Sequence, residues 1–186
     1  MYSNSHKFIF FHVGKCAGTS IKKSLAAIKG LSYDRMKGHS SLAELQQCVR
    51  ESGFDPEKYF TFSVTRNPWD RHVSLYYHMT SITKIHPNDP LKAKMEFKGS
   101  FEDFVYNSYV AKFDYSLVDY VIRYENLIDD FDQLCNHLNI KTPVLPHFDY
   151  NTGRPKVSYR SYYNSETQKK VSELYATDID YFNYEF

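Results

Sequence analysis

Phe8-Ile9-Phe10-Phe11-His12-Val13-Gly14-Lys15-Cys16-Ala17-Gly18-Thr19-Ser20 is the stretch from which the rest of the chain can be read. An apolar run of strand length meets a turn of small residues that holds one lysine. Two hydroxyls then open an amphipathic segment with Ile21, Leu25 and Ile28 on one face, which predicts a strand over residues 8–13 and a helix over 18–29. Strand, glycine turn and helix N-terminus together make an anion cradle: backbone N–H groups point outward, the helix dipole is positive there, and Lys15 adds a full charge. The stretch reads as a phosphate-binding loop.

The same arrangement recurs further along. Tyr59 to Thr65 is a second apolar, β-branched run, followed by Arg66-Asn67-Pro68-Trp69-Asp70. Asn67 suits an N-cap, Pro68 the first helical position and Asp70 the first turn, so a second strand–turn–helix unit is expected with a basic residue at its strand's carboxyl end. Between the two units, Ser41 and Glu44 have capping-box spacing before a helix to about Glu51. Residues 1–7 read as a frayed polar tail, and 81–99, with Pro87 and Pro90, as a loop or surface excursion. Ser100 with Asp103 caps a short helix, Leu117 to Tyr124 is a third strand, and Glu125 to Leu138 is a helix. Residues 147–160 form a basic loop containing Gly153-Arg154-Pro155-Lys156, and Ser165 with Gln168 caps a final helix. Strands alternating with helices predict an α/β, three-layer P-loop-like fold, its central parallel sheet flanked by helices, as a single domain over residues 1–186. Ligands on such sheets bind beyond the strands' carboxyl ends, where Gly14–Ser20 and Arg66–Ser74 both fall.

Composition narrows the function. Among 186 residues, 42% are apolar and 24% charged, with a formal net charge of only +1, which argues against a general nucleic-acid coat. Anion binding must therefore come from local clusters. Cys16, Cys48 and Cys135 are scattered, forming neither a metal-type pair nor a disulfide framework, so a reducing, cytoplasmic setting is expected. No apolar run approaches the length of a membrane span, and the run at Phe8 leads straight into Gly14-Lys15 rather than a cleavage site.

The loop is not a Walker A motif, because its lysine precedes the second glycine and Gly18 is followed by Thr19-Ser20. No apolar strand ends in a magnesium-binding aspartate either. Gly14-Lys15-Cys16-Ala17-Gly18-Thr19-Ser20 after a strand instead resembles the 5′-phosphosulfate loop of sulfotransferases. Val64 to Ser74, with Arg66 and Ser74 eight positions apart, resembles their 3′-phosphate motif. Arg123-Tyr124-Glu125-Asn126-Leu127 and the end of the chain, from Tyr159 to Phe186, are similar to the carbohydrate-type branch and its bacterial relatives.

That resemblance implies 3′-phosphoadenosine 5′-phosphosulfate (PAPS) as donor, 3′,5′-adenosine bisphosphate (PAP) as product, no metal, and a hydroxyl acceptor such as a saccharide. It implies that Lys15 meets the bridging oxygen and 5′-phosphate. The N–H groups of residues 16–20, with the hydroxyls of Thr19 and Ser20, would hold that phosphate, with Gly14, Cys16, Ala17 and Gly18 as donor-binding positions of the loop. Arg66 and Ser74 would clasp the 3′-phosphate, joined by Arg154 or Lys156. His39 is the candidate general base, with His12, placed within a strand, as its rival. Two departures stand out: Gly14 and Cys16 occupy positions where many relatives have proline and threonine.

Plainer readings sit beside these. Arg66 could simply pair with Asp70, Ser74 could be a helix-surface hydroxyl, His39 and Arg154 solvated loop residues, and Cys16 a filler in the turn. Trp69, Tyr162 and Tyr163 read more readily as packing rings than as adenine stackers. Two other functional classes stay open: an ATP- and magnesium-dependent kinase with a variant loop, and a nucleotide- or saccharide-binding protein without turnover.

Overall fold

The computed structural model describes residues 1–29, 41–110, 112–146 and 153–186. In chain order the strands are β1 (Tyr2–Ser3), β2 (Phe8–Phe10), β3 (Phe60–Thr65) and β4 (Tyr120–Arg123). The helices are α1 (Gly18–Ala26), α2 (Leu42–Glu51), α3 (Pro68–Thr80), α4 (Ile82–Ile85), α5 (Pro90–Lys94), α6 (Phe101–Asn107), α7 (Leu127–His137), α8 (Ser165–Leu174) and α9 (Ala176–Phe182). The chain forms two compact units, Met1–Thr65 with Phe113–Phe148 and Arg66–Lys112 with Asp149–Phe186.

The first unit holds a four-stranded sheet in the order β1-β2-β3-β4. β2, β3 and β4 run parallel, with Phe10 opposite Phe62 and Phe62 opposite Tyr120. From Thr61 to Thr65, β3 is buried on both faces, as an uninterrupted apolar and β-branched run in a central strand should be. Alternation sorts the rings. Phe8 and Phe10 lie on one face against Phe62, at 5.6 Å and 4.8 Å, and on that face Phe60 meets His137 of α7 at 4.0 Å. Ile9 points the other way, into a core with Leu42, Leu45 and Val49 of α2 and with Tyr59. Helices therefore cover both faces of this sheet. The α2 cap has the expected chemistry: the Ser41 hydroxyl accepts from the Glu44 N–H, and the Glu44 carboxylate accepts from the Ser41 N–H at 2.6 Å.

Two expectations for this unit are corrected. Residues 1–7 are not a frayed tail, because Tyr2 and Ser3 pair antiparallel with Ile9 and Phe8 and both are buried. The sheet is therefore mixed at its edge. The third strand is also shorter than residues 117–124, because a 3₁₀ turn over Tyr115–Leu117 precedes it and Tyr124–Asn126 forms another before α7. Gly30, expected to stop α1, lies outside the described residues.

The second unit is helical. Trp69, Val105, Val110, Val171 and Tyr175 form its buried core, with Phe101, Tyr163 and Phe186 packed against it. α3 starts as its sequence predicts: the Asn67 side chain accepts from the N–H groups of Trp69 and Asp70, and Pro68 opens the helix. Residues 81–99 depart from the expected loop, since they hold α4 and α5, the latter capped by Asp89 with Pro90 at its first position. The cap of α8 is Asn164, reciprocated by Thr167, rather than Ser165 with Gln168. Among the described residues no helix is long and apolar enough to cross a membrane.

Candidate active site

In the first unit the site is the connection from β2 to α1. Beyond Phe10 the ladder continues by one bond, from the Phe11 N–H to the Phe62 carbonyl at 2.9 Å. The chain then turns through Gly14–Ala17 into α1. Lys15 and Ala17 occupy the left-handed region, at φ 66° and 62°, with Cys16 between them outside it. For residues with a β-carbon this conformation costs about 1–2 kcal/mol each. Alternation in handedness turns successive N–H groups toward a common concavity suited to an anion. Ala17 is also the N-cap of α1; its side chain makes no cap bond, and no acidic residue occupies the first turn. The helix dipole makes the start of α1 favourable to an anion, and Lys23 lies in its last turn.

Side chains brace this turn. Cys16 is fully buried, and its Sγ–H donates to the Gly14 carbonyl at 3.5 Å, so it fills the turn's interior. Gly18 is required by proximity: a β-carbon there would lie 1.8 Å from Cδ2 of His12. The His12 ring in turn lies over Phe10, with centroids 6.1 Å apart and planes 26° apart. His12 was expected within a strand. It instead follows β2, half-buried, with its ring against the first residue of α1. Lys15 and Thr19 are half-buried and Ser20 is buried in the first turn.

In the second unit the candidate residues gather on one face of α3. The Asp70 carboxylate accepts from two arginines. Its Oδ2 takes Nε and Nη2 of Arg66 at 2.9 Å and 2.7 Å, and its Oδ1 takes Nη2 of Arg154 at 2.7 Å. All three side chains are largely shielded from solvent, at 9%, 17% and 23% exposure for Arg66, Asp70 and Arg154, so this is not a loose surface pair. The anticipated Arg66–Asp70 pairing is thus present, and Arg154, 84 residues away, shares it. Two guanidinium charges against one carboxylate leave the trio with one net positive charge. Ser74 stands one turn beyond Asp70 on the same face, half-buried.

Tyrosines border the trio. Tyr77 lies one further turn along α3, its hydroxyl 3.1 Å from that of Tyr162. Burial, reinforced by Tyr162, pushes the Tyr77 phenol up to about 12, against an opposing pull from Arg154. Tyr163 donates to the Trp69 carbonyl at 2.9 Å, and burial pushes its phenol up. Trp69 is buried and donates from Nε1 to the Gln168 carbonyl, which makes it a packing ring. His72 belongs to the same stretch of sequence but to the core. It is fully buried, with Nε2 3.1 Å from the Ser108 hydroxyl and Nδ1 3.4 Å from that of Tyr175. Burial, then the charge of Arg71, lowers it to about 4, so it is neutral near pH 7.

Of the residues singled out from sequence, Gly14 to Ser20 form one local turn and helix start, Arg66 and Arg154 share the Asp70 carboxylate, and Ser74 lies one turn beyond Asp70 on α3. His39 lies outside the described residues. The residue sequence reasoning undervalued is Asp70. Its spacing of four from Arg66 was visible, but nothing in the sequence signals its bond to Arg154.

A family model described as "Sulfotransferase family" matches residues 1–185. Comparisons with curated proteins and with solved structures return no significant match.

Proposed function

Because the chain belongs to the sulfotransferase family, we propose that it moves a sulfuryl group from PAPS to a hydroxyl of a saccharide acceptor by in-line displacement. The observation that carries this reading is the turn before α1, where left-handed Lys15 and Ala17 lead into a helix whose N-cap, Ala17, makes no side-chain cap bond. A backbone strained at two non-glycine positions beside a helix N-terminus suits a group whose charge must be met at a defined place.

In this reading the acceptor oxygen forms a bond to sulfur as the bond from sulfur to the bridging oxygen breaks, and charge grows on that oxygen and the 5′-phosphate. The protein does little covalent work and much positioning, as in phosphoryl transfer. Lys15 stabilises the charge on the bridging oxygen, while the backbone from Gly14 to Gly18 and the hydroxyls of Thr19 and Ser20 hold the 5′-phosphate. Arg66, Ser74 and Arg154 hold the 3′-phosphate, arginine because its fork matches phosphate oxygens. His39 takes the acceptor's proton.

The test is incubation with sulfur-labelled PAPS and a panel of sugars in the presence of a metal chelator. Label transferred to a sugar supports the reading. A requirement for ATP and magnesium instead identifies a kinase, and tight PAP binding without transfer to any acceptor identifies a binding protein.

A further inference from the structure

Asp70 is an acidic residue in the middle of a site proposed to bind an anion, and on charge alone it should oppose binding. Its geometry gives it another task. One oxygen takes two N–H groups of Arg66 and the other takes Arg154, so one carboxylate fixes the spacing and mutual orientation of two guanidinium groups. Arg66 enters from the residue before the α3 N-cap, and Arg154 from a segment that leaves Gly153 at φ 72°. Neither backbone alone sets where its long side chain ends. Resting on the PAPS reading above, we propose that Asp70 is a positioning residue that holds Arg66 and Arg154 as a preorganised pair, and that this pair selects nucleotides carrying a 3′-phosphate over those with a 3′-hydroxyl. Preorganisation matters because two flexible arginines lose rotamer freedom on closing around a phosphate, and a pair already held loses little.

The substitution Asp70→Asn separates the two roles. Asparagine keeps the shape but has a single acceptor oxygen, and its amide N–H₂ opposes a guanidinium N–H. One arginine therefore loses its bond to residue 70, although the site gains a unit of positive charge. A purely electrostatic or merely structural Asp70 predicts that D70N binds PAP as well as the wild type or more tightly.

The experiment is calorimetric titration of the full chain with PAP and with adenosine 5′-monophosphate, read as the ratio of the two affinities. The wild type is expected to prefer PAP, and D70N to lose about tenfold or more of that ratio. Asp70→Glu, which retains both oxygens, is expected to recover part of it. A folded D70N with the wild-type ratio overturns the role of Asp70 while leaving the PAPS reading intact. A wild type without preference overturns the nucleotide reading and this inference with it. If D70N does not fold, Arg154→Gln carries the test, because it removes one member of the pair and leaves Arg66 on Asp70. A ratio unchanged in that variant overturns the proposal.

Discussion

His72 provides a test of the second unit's core that does not depend on any ligand. The ring is fully buried, with Phe104 at 5.2 Å and Tyr175 at 5.9 Å, and burial lowers it from 6.5 to about 4. Between those values the unfolded chain binds a proton at this position and the folded chain does not, so stability rises with pH across that window. The contribution is fully present above about pH 6.5 and is lost as pH falls toward 4. At about 1.4 kcal/mol per pH unit, the gap amounts to roughly 3 kcal/mol. Other groups titrate nearby. Asp178 is raised by burial, for instance, and pulls the opposite way. The clean quantity is therefore the difference between wild type and His72→Gln, which keeps polar partners for Ser108 and Tyr175 but cannot take up a proton. Urea unfolding from pH 7.5 to pH 4 measures it. The wild type's advantage over H72Q should shrink by roughly 3 kcal/mol across the range. Parallel stability curves would show that His72 is not held neutral, and the description of this core would be wrong.

Three further outcomes follow from the turn and the helix caps. Gly18→Ala places a methyl group where the His12 ring lies and should destabilise by about 1–3 kcal/mol; thermal unfolding should show it, with His12→Ala in the same chain restoring much of the loss. Ala17→Gly relieves a left-handed alanine and should raise stability by about 1 kcal/mol, read from the midpoint of denaturant unfolding. Ser41→Ala removes half of the capping box of α2 and should cost about 1 kcal/mol, with the shift seen in the same assay.

Much of the fold was legible because local chemistry and tertiary structure agree. Asn67-Pro68 and the Ser41/Glu44 pair mark helix starts by the hydrogen bonds they make, and the structure has helices starting there. The unbroken run at β3 marked a strand covered on both faces. The failures have physical causes. A two-residue strand such as Tyr2–Ser3 has no periodicity to detect, and its pairing with β2 is tertiary. α4 and α5 are too short to show a face. In the site loop the flanking glycines drew attention, yet the left-handed positions are Lys15 and Ala17, residues whose types give no hint of it. Gly18 is needed for closeness to His12 instead. The carboxylate shared by Arg66 and Arg154 joins distant parts of the chain, which no local pattern reveals.

In the proposed function Lys15 meets the 5′-phosphate of the donor and Arg66 its 3′-phosphate. Titration of Lys15→Ala and Arg66→Ala with adenosine 5′-monophosphate, adenosine 3′-monophosphate and PAP separates these two roles. K15A should weaken the 5′-nucleotide and spare the 3′-nucleotide, R66A should do the reverse, and both should weaken PAP. PAP binding at wild-type affinity in R66A would contradict the role given to Arg66.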